Sequence, residues 1–334
     1  MIVRLGYVAM SVHVKNASPS KTMTATNFSK LGDREAAIRK LERIGAENIH
    51  NTLRLLRHNR AHDIQLYRIS SKLIPLVGHE LLGDWDPIPA LAAEFRELGD
   101  YAKKHAMRLS FHPDHFTVLS TPRKAVLQNS YADLERHVRM LEAMGLGREA
   151  MCNIHIGGTY GDKTKARARF VKHFTEMDGR LRERITLEND DKTFNAVETL
   201  EVCEEVGAPM VLDVHHHQVN NGGESAVELW PRIGKTWKGT VSGAVDDAGV
   251  PVPLPPKIHV SSPKSDSEPR SHADYVEPEP LLAFLRGIAG STPRLDVMIE
   301  AKMKDDALFR LMEAFRGAAG VTVLSQASVE LEPL

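Results

Sequence analysis

The chain has 334 residues, of which 42% are hydrophobic and 26% charged, a balance typical of folded globular proteins rather than disordered ones. The formal net charge of −1 excludes a strongly basic protein, so any affinity for nucleic acid would need local basic surface or bound cations. No basic segment followed by a long apolar run opens the chain, and no apolar stretch reaches the ~18 residues of a membrane span, so we expect a cytoplasmic protein without membrane association.

Short β-branched runs alternate along the chain with longer amphipathic stretches. The predicted strands are Ile2–Val8, Gln65–Ile69, Arg108–His112, Met151–Ile156, Ile185–Glu188, Pro209–Val214, Lys257–Val260 and Asp296–Glu300. The predicted helices are Asp33–Leu56, Pro89–His105, Pro122–Ala143, Lys163–Leu181, Ala196–Val206, Glu224–Ile233, Pro278–Ile288 and Asp305–Ala318. Each assignment rests on apolar periodicity, which is near 3.6 residues for a helix and 2 for a strand.

Strands that alternate with helices predict a parallel sheet, and eight repeats favour closure into a (β/α)8 TIM barrel. We expect residues 1–334 to form a single domain. A dinucleotide-binding fold is disfavoured, because the segment after the first strand, MSVHVKNASPSK, contains no glycine. The Pro- and Gly-rich segment Gly239–Pro256 is interpreted as an excursion at the barrel rim rather than as a domain boundary.

Histidines and acids stand at the ends of six consecutive predicted strands. They are His112, His155, Glu188, Asp213, His259 and Glu300. In a parallel barrel these strand ends meet at one mouth, where a buried charge must be paired, hydrogen-bonded or bound to a metal. The combination of imidazoles and carboxylates therefore favours one or more divalent cations.

Other interpretations exist for each of these residues taken singly. A lone histidine at a strand end is often a hydrogen-bonded core residue. Glu188 and Glu300 could pair with Lys257 or Lys302, and the histidine triplet 215–217 could form a solvated turn. The two cysteines, Cys152 and Cys203, form neither a disulfide framework nor a CxxC motif, and we expect both in the core.

Taken in order, the motifs RLGY, RISS, HP, HIGG, LENDD, DVHHH, KIH, SHADYV and IEAK resemble the UV damage endonuclease family over nearly the whole chain. The family is similar in fold and metal site to endonuclease IV and, more distantly, to the xylose isomerases. The resemblance implies a monomeric barrel with up to three divalent ions, commonly Mn²⁺ with Zn²⁺ or Mg²⁺ as alternatives. It also implies a DNA repair enzyme, associated with the nucleoid. Its implied reaction is hydrolysis of double-stranded DNA immediately 5′ of a UV photoproduct or abasic site, leaving a 3′-hydroxyl and a 5′-phosphate.

The resemblance implies specific roles for residues of this sequence. The implied metal ligands are His112, His155, Glu188, Asp213, His216, His259, His272 and Glu300. Glu188 would bridge two ions. Regular strand periodicity would place His215 on the face of Asp213, whereas the family spacing selects His216, so we expect the strand to have already turned into its loop.

The resemblance also implies two further catalytic residues beside Glu188. His79 would touch the scissile phosphate. Lys257 matches a lysine that can be carboxylated in the family, and an ion pair with Glu300 or Glu188 is the alternative.

Lesion recognition is expected from Tyr7, Ser11, His115 and Phe116. The family commonly follows HPG with Gln-Tyr, whereas this chain reads HPDHF, and it carries Ser11 where the family has asparagine. Phe116 can wedge between bases or, alternatively, be a buried rim aromatic.

Basic residues precede the second strand and follow the fourth and seventh, and we expect them to give DNA binding a modest salt dependence. They are Arg54, Arg57, His58, Arg60, His62, Lys163, Lys165, Arg167, Arg169, Lys264 and Arg270. Two other functions stay open: a metal-dependent sugar isomerase or epimerase on the same barrel, and a non-catalytic protein that senses or stores metal.

Overall fold

The computed structural model describes residues 1–245 and 247–333, and its centre is a closed barrel of eight parallel strands. These strands are β1 (Ile2–Val8), β2 (Leu66–Ile69), β3 (Arg108–Phe111), β4 (Met151–His155), β5 (Ile185–Glu188), β6 (Met210–Asp213), β7 (Lys257–Val260) and β8 (Arg294–Ile299). Each pairs with the next along the chain, and β8 returns to β1, with Ile2 opposite Arg294 and Tyr7 opposite Ile299. The predicted (β/α)8 barrel is confirmed.

Helices surround the barrel and bury their apolar faces against it. They are α1 (Ala25–Ser29), α2 (Arg34–Ala61), α3 (Ala92–Lys104), α4 (Lys124–Ala143), α5 (Lys163–Glu176), α6 (Gly179–Arg182), α7 (Ala196–Val206), α8 (Val214–Val219), α9 (Ala226–Thr236), α10 (Pro278–Ala289) and α11 (Lys304–Arg316). A 3₁₀ turn spans Glu80–Leu82. None of the helices in the described ranges combines the length and apolar character needed to cross a bilayer. The expectation of one domain over residues 1–334 stays a prediction.

Local capping explains where several helices begin. The Asp33 side chain accepts a hydrogen bond from the Ala36 amide, which fixes the start of α2. Asn195 and Glu198 form a capping box at α7. The predicted helix Lys163–Leu181 is two helices, because the chain is extended at Met177 and Asp178 caps a new turn by accepting from the Arg180 amide.

Three antiparallel hairpins were not predicted as strands. Val241–Val245 pairs with Pro251–Pro253, within the segment interpreted as an excursion, of which residue 246 lies outside the described residues. Pro263–Ser265 pairs with Glu268–His272. Val321–Ser325 pairs with Ser328–Leu331, which continues the sheet beside the first half of β1 at the amino-terminal end of the barrel.

The barrel interior is polar at both ends. At the amino-terminal end, Asp296 accepts hydrogen bonds of 2.8 Å from Arg4 and from Arg108, joining strands β1, β3 and β8. Strand side chains alternate between the interior and the helix layer, so every second residue along a strand points inwards. Starting from Arg108, this alternation leads to His112 at the carboxyl end of β3, and starting from Asp296 it leads to Glu300.

Candidate metal centre

Glu188 lies at the end of β5 and is the common member of the site. Its Oε2 is 3.0 Å from Nε2 of His112, and its Oε1 is 3.0 Å from Nδ1 of His259. Nε2 of His155 is 3.7 Å from Oε2. The side chain is only 1% exposed, so this carboxylate faces imidazoles rather than water.

Three groups of side chains in the described residues have ligand atoms within 4.8 Å of one another, close enough to hold a metal ion. They are His112, His155 and Glu188; Glu188, His259 and Glu300; and Glu188, Asp213 and His216. Glu188 belongs to all of them. Seven of the eight residues expected as ligands therefore converge at the mouth of the barrel.

The register of His216 follows from the way β6 ends. Asp213 is the last strand residue and also the N-cap of the short helix Val214–Val219, where its Oδ1 accepts from the His216 amide at 2.7 Å. The helical turn places Nδ1 of His216 3.7 Å from Oδ2 of Asp213 and 3.8 Å from Oε1 of Glu188. The structure thus joins His216 to Asp213 as expected, because the strand has ended.

His272, the eighth expected ligand, approaches from the hairpin that follows β7. Its ring centroid is 6.3 Å from that of His216, and its Nδ1 lies 2.8 Å from the carbonyl oxygen of Glu300. His272 is not a member of the three compact groups in the described chain. It lies at the edge of the cluster, on the side of Asp213 and His216.

His215 does not share the role of His216 as a candidate ligand. Its Nε2 is 2.7 Å from the carbonyl oxygen of Pro269, and its Nδ1 is 2.8 Å from the hydroxyl of Ser261. Both ring nitrogens are therefore engaged by the protein. His215 holds the hairpin that carries His272 and does not face the cluster as a ligand.

In the cluster, burial and neighbouring charges shift the pKa values of the side chains in opposite directions. Burial raises the pKa of Asp213, His216 lowers it and Glu188 raises it, and together they bring it to about 7. Burial would lower the pKa of His216, but Asp213 and Glu188 raise it to about 9. For Glu188, burial acts upwards, yet His259 and His155 bring its pKa well below the usual value.

Unpartnered polar atoms show that the site suits cations. Among the described residues, Asp213 Oδ2 and His259 Nε2 are buried without a hydrogen-bond partner. Two carboxylates, Glu188 and Glu300, face the same Nδ1 of His259 at 3.0 Å each. Buried polar atoms in native proteins are normally satisfied, and a divalent ion would satisfy these. Mixed imidazole and carboxylate donors fit the divalent ions that the sequence suggested.

Lys257 lies below the cluster on β7 and is 1% exposed. Burial, with Arg108 and Arg68 nearby, lowers its pKa to about 7. Glu300 forms an ion pair with Arg68. Within the described residues, no ion pair joins Lys257 to Glu300 or to Glu188, so the alternative interpretation of Lys257 is wrong. Near neutral pH a large fraction of this amine is therefore unprotonated.

The sequence reasoning missed two residues that hold the acids in place. Arg68, on β2, forms an ion pair with Glu300. Asn153, on β4, donates to Glu188 and accepts 2.7 Å from the Thr186 hydroxyl. The period-2 alternation along β2 and β4 puts both side chains inside the barrel and could have found them.

Two of the residues expected to read the lesion have their hydroxyl groups engaged by the protein itself. Tyr7 has no exposed surface, and its hydroxyl donates to Asn59 at 2.7 Å. The Ser11 hydroxyl donates to Asp305 and accepts from the amides of residues 13 and 14. Tyr7 is buried against the helix layer, so the expectation that it touches DNA is wrong. Ser11 is half-buried and stays a predicted DNA contact.

The other expected contact residues lie in loops beyond the strand ends. Phe116 is 72% exposed and stacks against His115 at 4.1 Å, which excludes the buried rim aromatic that the sequence also allowed. His79 is half-buried in the segment after β2, and its Nδ1 accepts from the Leu81 amide at 3.2 Å. Within the described residues, no recorded contact joins His79 to the metal cluster.

Most of the basic residues singled out from the sequence pair with acids or carbonyls. Lys163 lies 2.6 Å from Glu198, and Arg167 lies 2.7 Å from Glu205. The other such pairs are Arg57 with Glu97, Lys165 with Asp162, Lys264 with Glu268, Arg270 with Asp191, and His58 with Asp305. Their local positive charge is thus largely offset.

A closed parallel barrel with a cluster of histidines and acids at its mouth defines a TIM-barrel protein with a candidate metal centre. The family model of the UV-endonuclease UvdE matches residues 3–332. UV DNA damage endonucleases of Halalkalibacterium halodurans and Bacillus pumilus are 42% and 41% identical over 334 residues, covering all of this chain and all of each relative. The chain belongs to the UV-endonuclease UvdE family and is an enzyme of the endonuclease class, as the motifs indicated.

Solved structures agree with this assignment. The crystal structure of SacUVDE matches with a TM-score of 0.79 and 26% identity, covering 94% of this chain and 98% of that one. Endonuclease IV of Thermus thermophilus matches with a TM-score of 0.52 at 14% identity, covering 93% and 98% of the two chains. D-psicose 3-epimerase of Clostridium cellulolyticum matches at 0.50 and 13%, covering 89% and 85%. At such identities the last two show the fold alone.

Proposed function

We propose that this protein is a DNA repair endonuclease that nicks double-stranded DNA immediately 5′ of UV photoproducts, leaving a 3′-hydroxyl and a 5′-phosphate. The observation that carries the proposal is the convergence of three candidate metal groups on one carboxylate, Glu188, in a chain of the UvdE family. We also propose that it acts as a monomer in the cytoplasm, on nucleoid DNA.

The proposed cofactors are up to three divalent ions, with Mn²⁺ first and Zn²⁺ or Mg²⁺ as alternatives. The ligands would be His112, His155, Glu188, Asp213, His216, His259, His272 and Glu300. When bound, such ions stabilise the negative charge that develops on phosphate and leaving-group oxygens during hydrolysis. The three groups that share Glu188 support a bridging role for this carboxylate.

The chain's own residues orient this donor set. Asn153 holds Oε2 of Glu188, and Arg68 holds Glu300, so neither acid is free to turn away. His79 has one ring nitrogen engaged by the Leu81 amide, and we propose that the other donates to a phosphate oxygen. The lowered pKa of Lys257 favours carboxylation, because only the unprotonated fraction of the amine reacts with carbon dioxide.

The deciding experiment uses the purified protein with Mn²⁺ and supercoiled plasmid that has or has not been irradiated with UV light. We expect nicks that depend on irradiation and disappear with EDTA. A labelled duplex with one photoproduct should give a product that a polymerase extends, since the new end is a 3′-hydroxyl. Cutting only at abasic sites would change the substrate, and no cutting with any divalent ion would refute the proposal.

The two alternatives predict other outcomes. A sugar isomerase would interconvert aldoses and ketoses without cutting DNA. A metal-storage protein would bind ions tightly with neither activity. Because the family match covers residues 3–332 and the likeness to the epimerase rests on 13% identity, we favour the endonuclease.

A further inference from the structure

Two aromatic side chains stand out on the surface. Among the large hydrophobic residues that the described chain exposes, Phe116 and Tyr160 are the aromatic ones, at 72% and 41% exposure. Both lie in loops at the carboxyl ends of neighbouring strands, β3 and β4. The second loop begins directly after His155, one of the candidate ligands. No role for Tyr160 was predicted from the sequence.

The backbone holds Tyr160 in an unusual conformation. Its φ of 51° lies in the left-handed region, which is ordinary for glycine but which bulky side chains rarely adopt. Gly157 and Gly161 on either side also have positive φ values, 109° and 83°. Left-handed residues of this kind concentrate at functional sites, where the surrounding structure fixes them.

Packing behind the ring fixes its direction. The guanidinium carbon of Arg169 lies 5.7 Å from the centroid of the Tyr160 ring, a cation–π contact. Arg169 is itself held, because its Nε donates to the carbonyl of Ser120 at 2.7 Å. The tyrosine is therefore a supported platform and not a loose surface side chain.

The loops of Phe116 and Tyr160 are joined. The Ser120 hydroxyl, in the first loop, donates to the carbonyl of Gly158, in the second, at 2.9 Å. A Cβ at Gly157 would lie 2.6 Å from Val118, so only glycine permits this approach. The two exposed aromatics thus project from one connected rim beside the candidate metal centre.

We propose that Tyr160 is a second stacking residue for DNA, which packs against an unpaired or distorted base while Phe116 contacts the neighbouring position. The inference rests on the proposed function, and it adds a residue that reads the substrate. Stacking on an aromatic ring needs no particular base, so it suits recognition of distorted DNA rather than of a sequence. The ring, and not the hydroxyl, would carry the binding.

The test compares Tyr160→Ala with Tyr160→Phe in the metal-loaded protein. Affinity is measured by fluorescence anisotropy on a duplex with one photoproduct and on its undamaged counterpart, and nicking gives kcat and KM. We expect Tyr160→Ala to weaken binding of the damaged duplex about tenfold, which is within the usual range for one stacked base. Its kcat should stay within about twofold, and Tyr160→Phe should match the wild type.

Leu324→Ala is the matched control, because Leu324 is 48% exposed on the hairpin at the opposite end of the barrel. It should leave both duplexes bound as before. Equal affinity of Tyr160→Ala and wild type, with unchanged thermal unfolding, would overturn the inference even if the wild type nicks damaged DNA. A wild type that binds but never nicks would refute the proposed function. The comparison of its affinity for damaged duplex with that of Tyr160→Ala would still test whether Tyr160 stacks on DNA.

Discussion

At the scale of single residues, the site depends on the charge of Glu188. We predict that Glu188→Gln reduces nicking of irradiated plasmid by at least about 100-fold, because the amide keeps the shape but loses the charge that faces three imidazoles. Affinity for damaged duplex should change little, and the number of bound metal ions, counted by mass spectrometry, should fall.

The control for this substitution is Glu313→Gln, which changes an exposed acid that pairs with Arg316 on the last helix. It should retain activity and metal content. A Glu188→Gln protein that still cuts DNA at the wild-type rate would remove this residue from the bridging role.

At the scale of elements, the eight barrel strands were predictable because each is a short run that contains β-branched or other apolar residues and lies between longer amphipathic stretches. Site residues at the ends of strands, such as His112 and Glu300, were predictable from the strand pattern. Periodicity alone would have chosen His215, because it could not show that β6 ends at Asp213 and that a helical turn brings His216 round. The family resemblance, and not the spacing, selected His216.

Other failures at this scale have the same physical origin. The strand Ser328–Leu331 pairs with β1 from the opposite end of the chain, and local propensity does not encode such pairing. Tyr7 was expected at the lesion because its motif matched the family, yet alternation along β1 turns its ring towards Asn59 on α2. Long-range contacts thus decided what local patterns left undecided.

The hairpin that carries His272 gives a prediction about one element. We predict that His215→Ala speeds hydrogen–deuterium exchange of residues 263–272 about tenfold, because it removes the 2.7 Å contact with Pro269. The metal content should fall by less than in Glu188→Gln. His217→Ala is the matched control, since His217 belongs to the same helix but contacts the carbonyl of Glu224. Equal exchange in both variants would show that His215 does not hold the hairpin.

At the scale of the whole molecule, the buried ion cluster of Arg4, Arg108 and Asp296 joins three strands at the end opposite the metal centre. We predict that Asp296→Asn lowers the free energy of unfolding by about 3–5 kcal/mol, because it leaves two buried or partly buried cations unpaired. Activity per folded molecule should persist. Glu313→Gln, in an exposed pair, should cost less than about 1 kcal/mol.

The stability difference should depend on pH in a defined direction. Burial acts to raise the pKa of Asp296, but Arg4 and Arg108 bring it below the usual value. A carboxyl group whose pKa is lower in the folded state stabilises the protein above its unfolded pKa, about 3.9. The contribution is lost as the pH falls through the folded pKa. Urea unfolding of the wild type and of Asp296→Asn should give a constant difference in unfolding free energy from pH 7 down to about pH 4, and a smaller difference between about pH 4 and pH 3. A difference that grew below about pH 4 would contradict the lowered pKa of Asp296.

The overall charge balance predicts how DNA binding responds to salt. Net charge is −1, and most basic residues near the mouth already pair with acids, as Lys163 does with Glu198 and Arg167 with Glu205. Few protein cations are therefore available to displace counterions from DNA. We predict a plot of log affinity against log salt with a slope of about −2 to −4, equivalent to a few phosphate contacts.

Anisotropy titrations from 50 to 300 mM salt, about the usual range, measure this slope. A flat plot would show that phosphate contacts do not contribute, and a slope near −8, in magnitude roughly that of a strongly basic binder, would show that the ion pairs open on DNA.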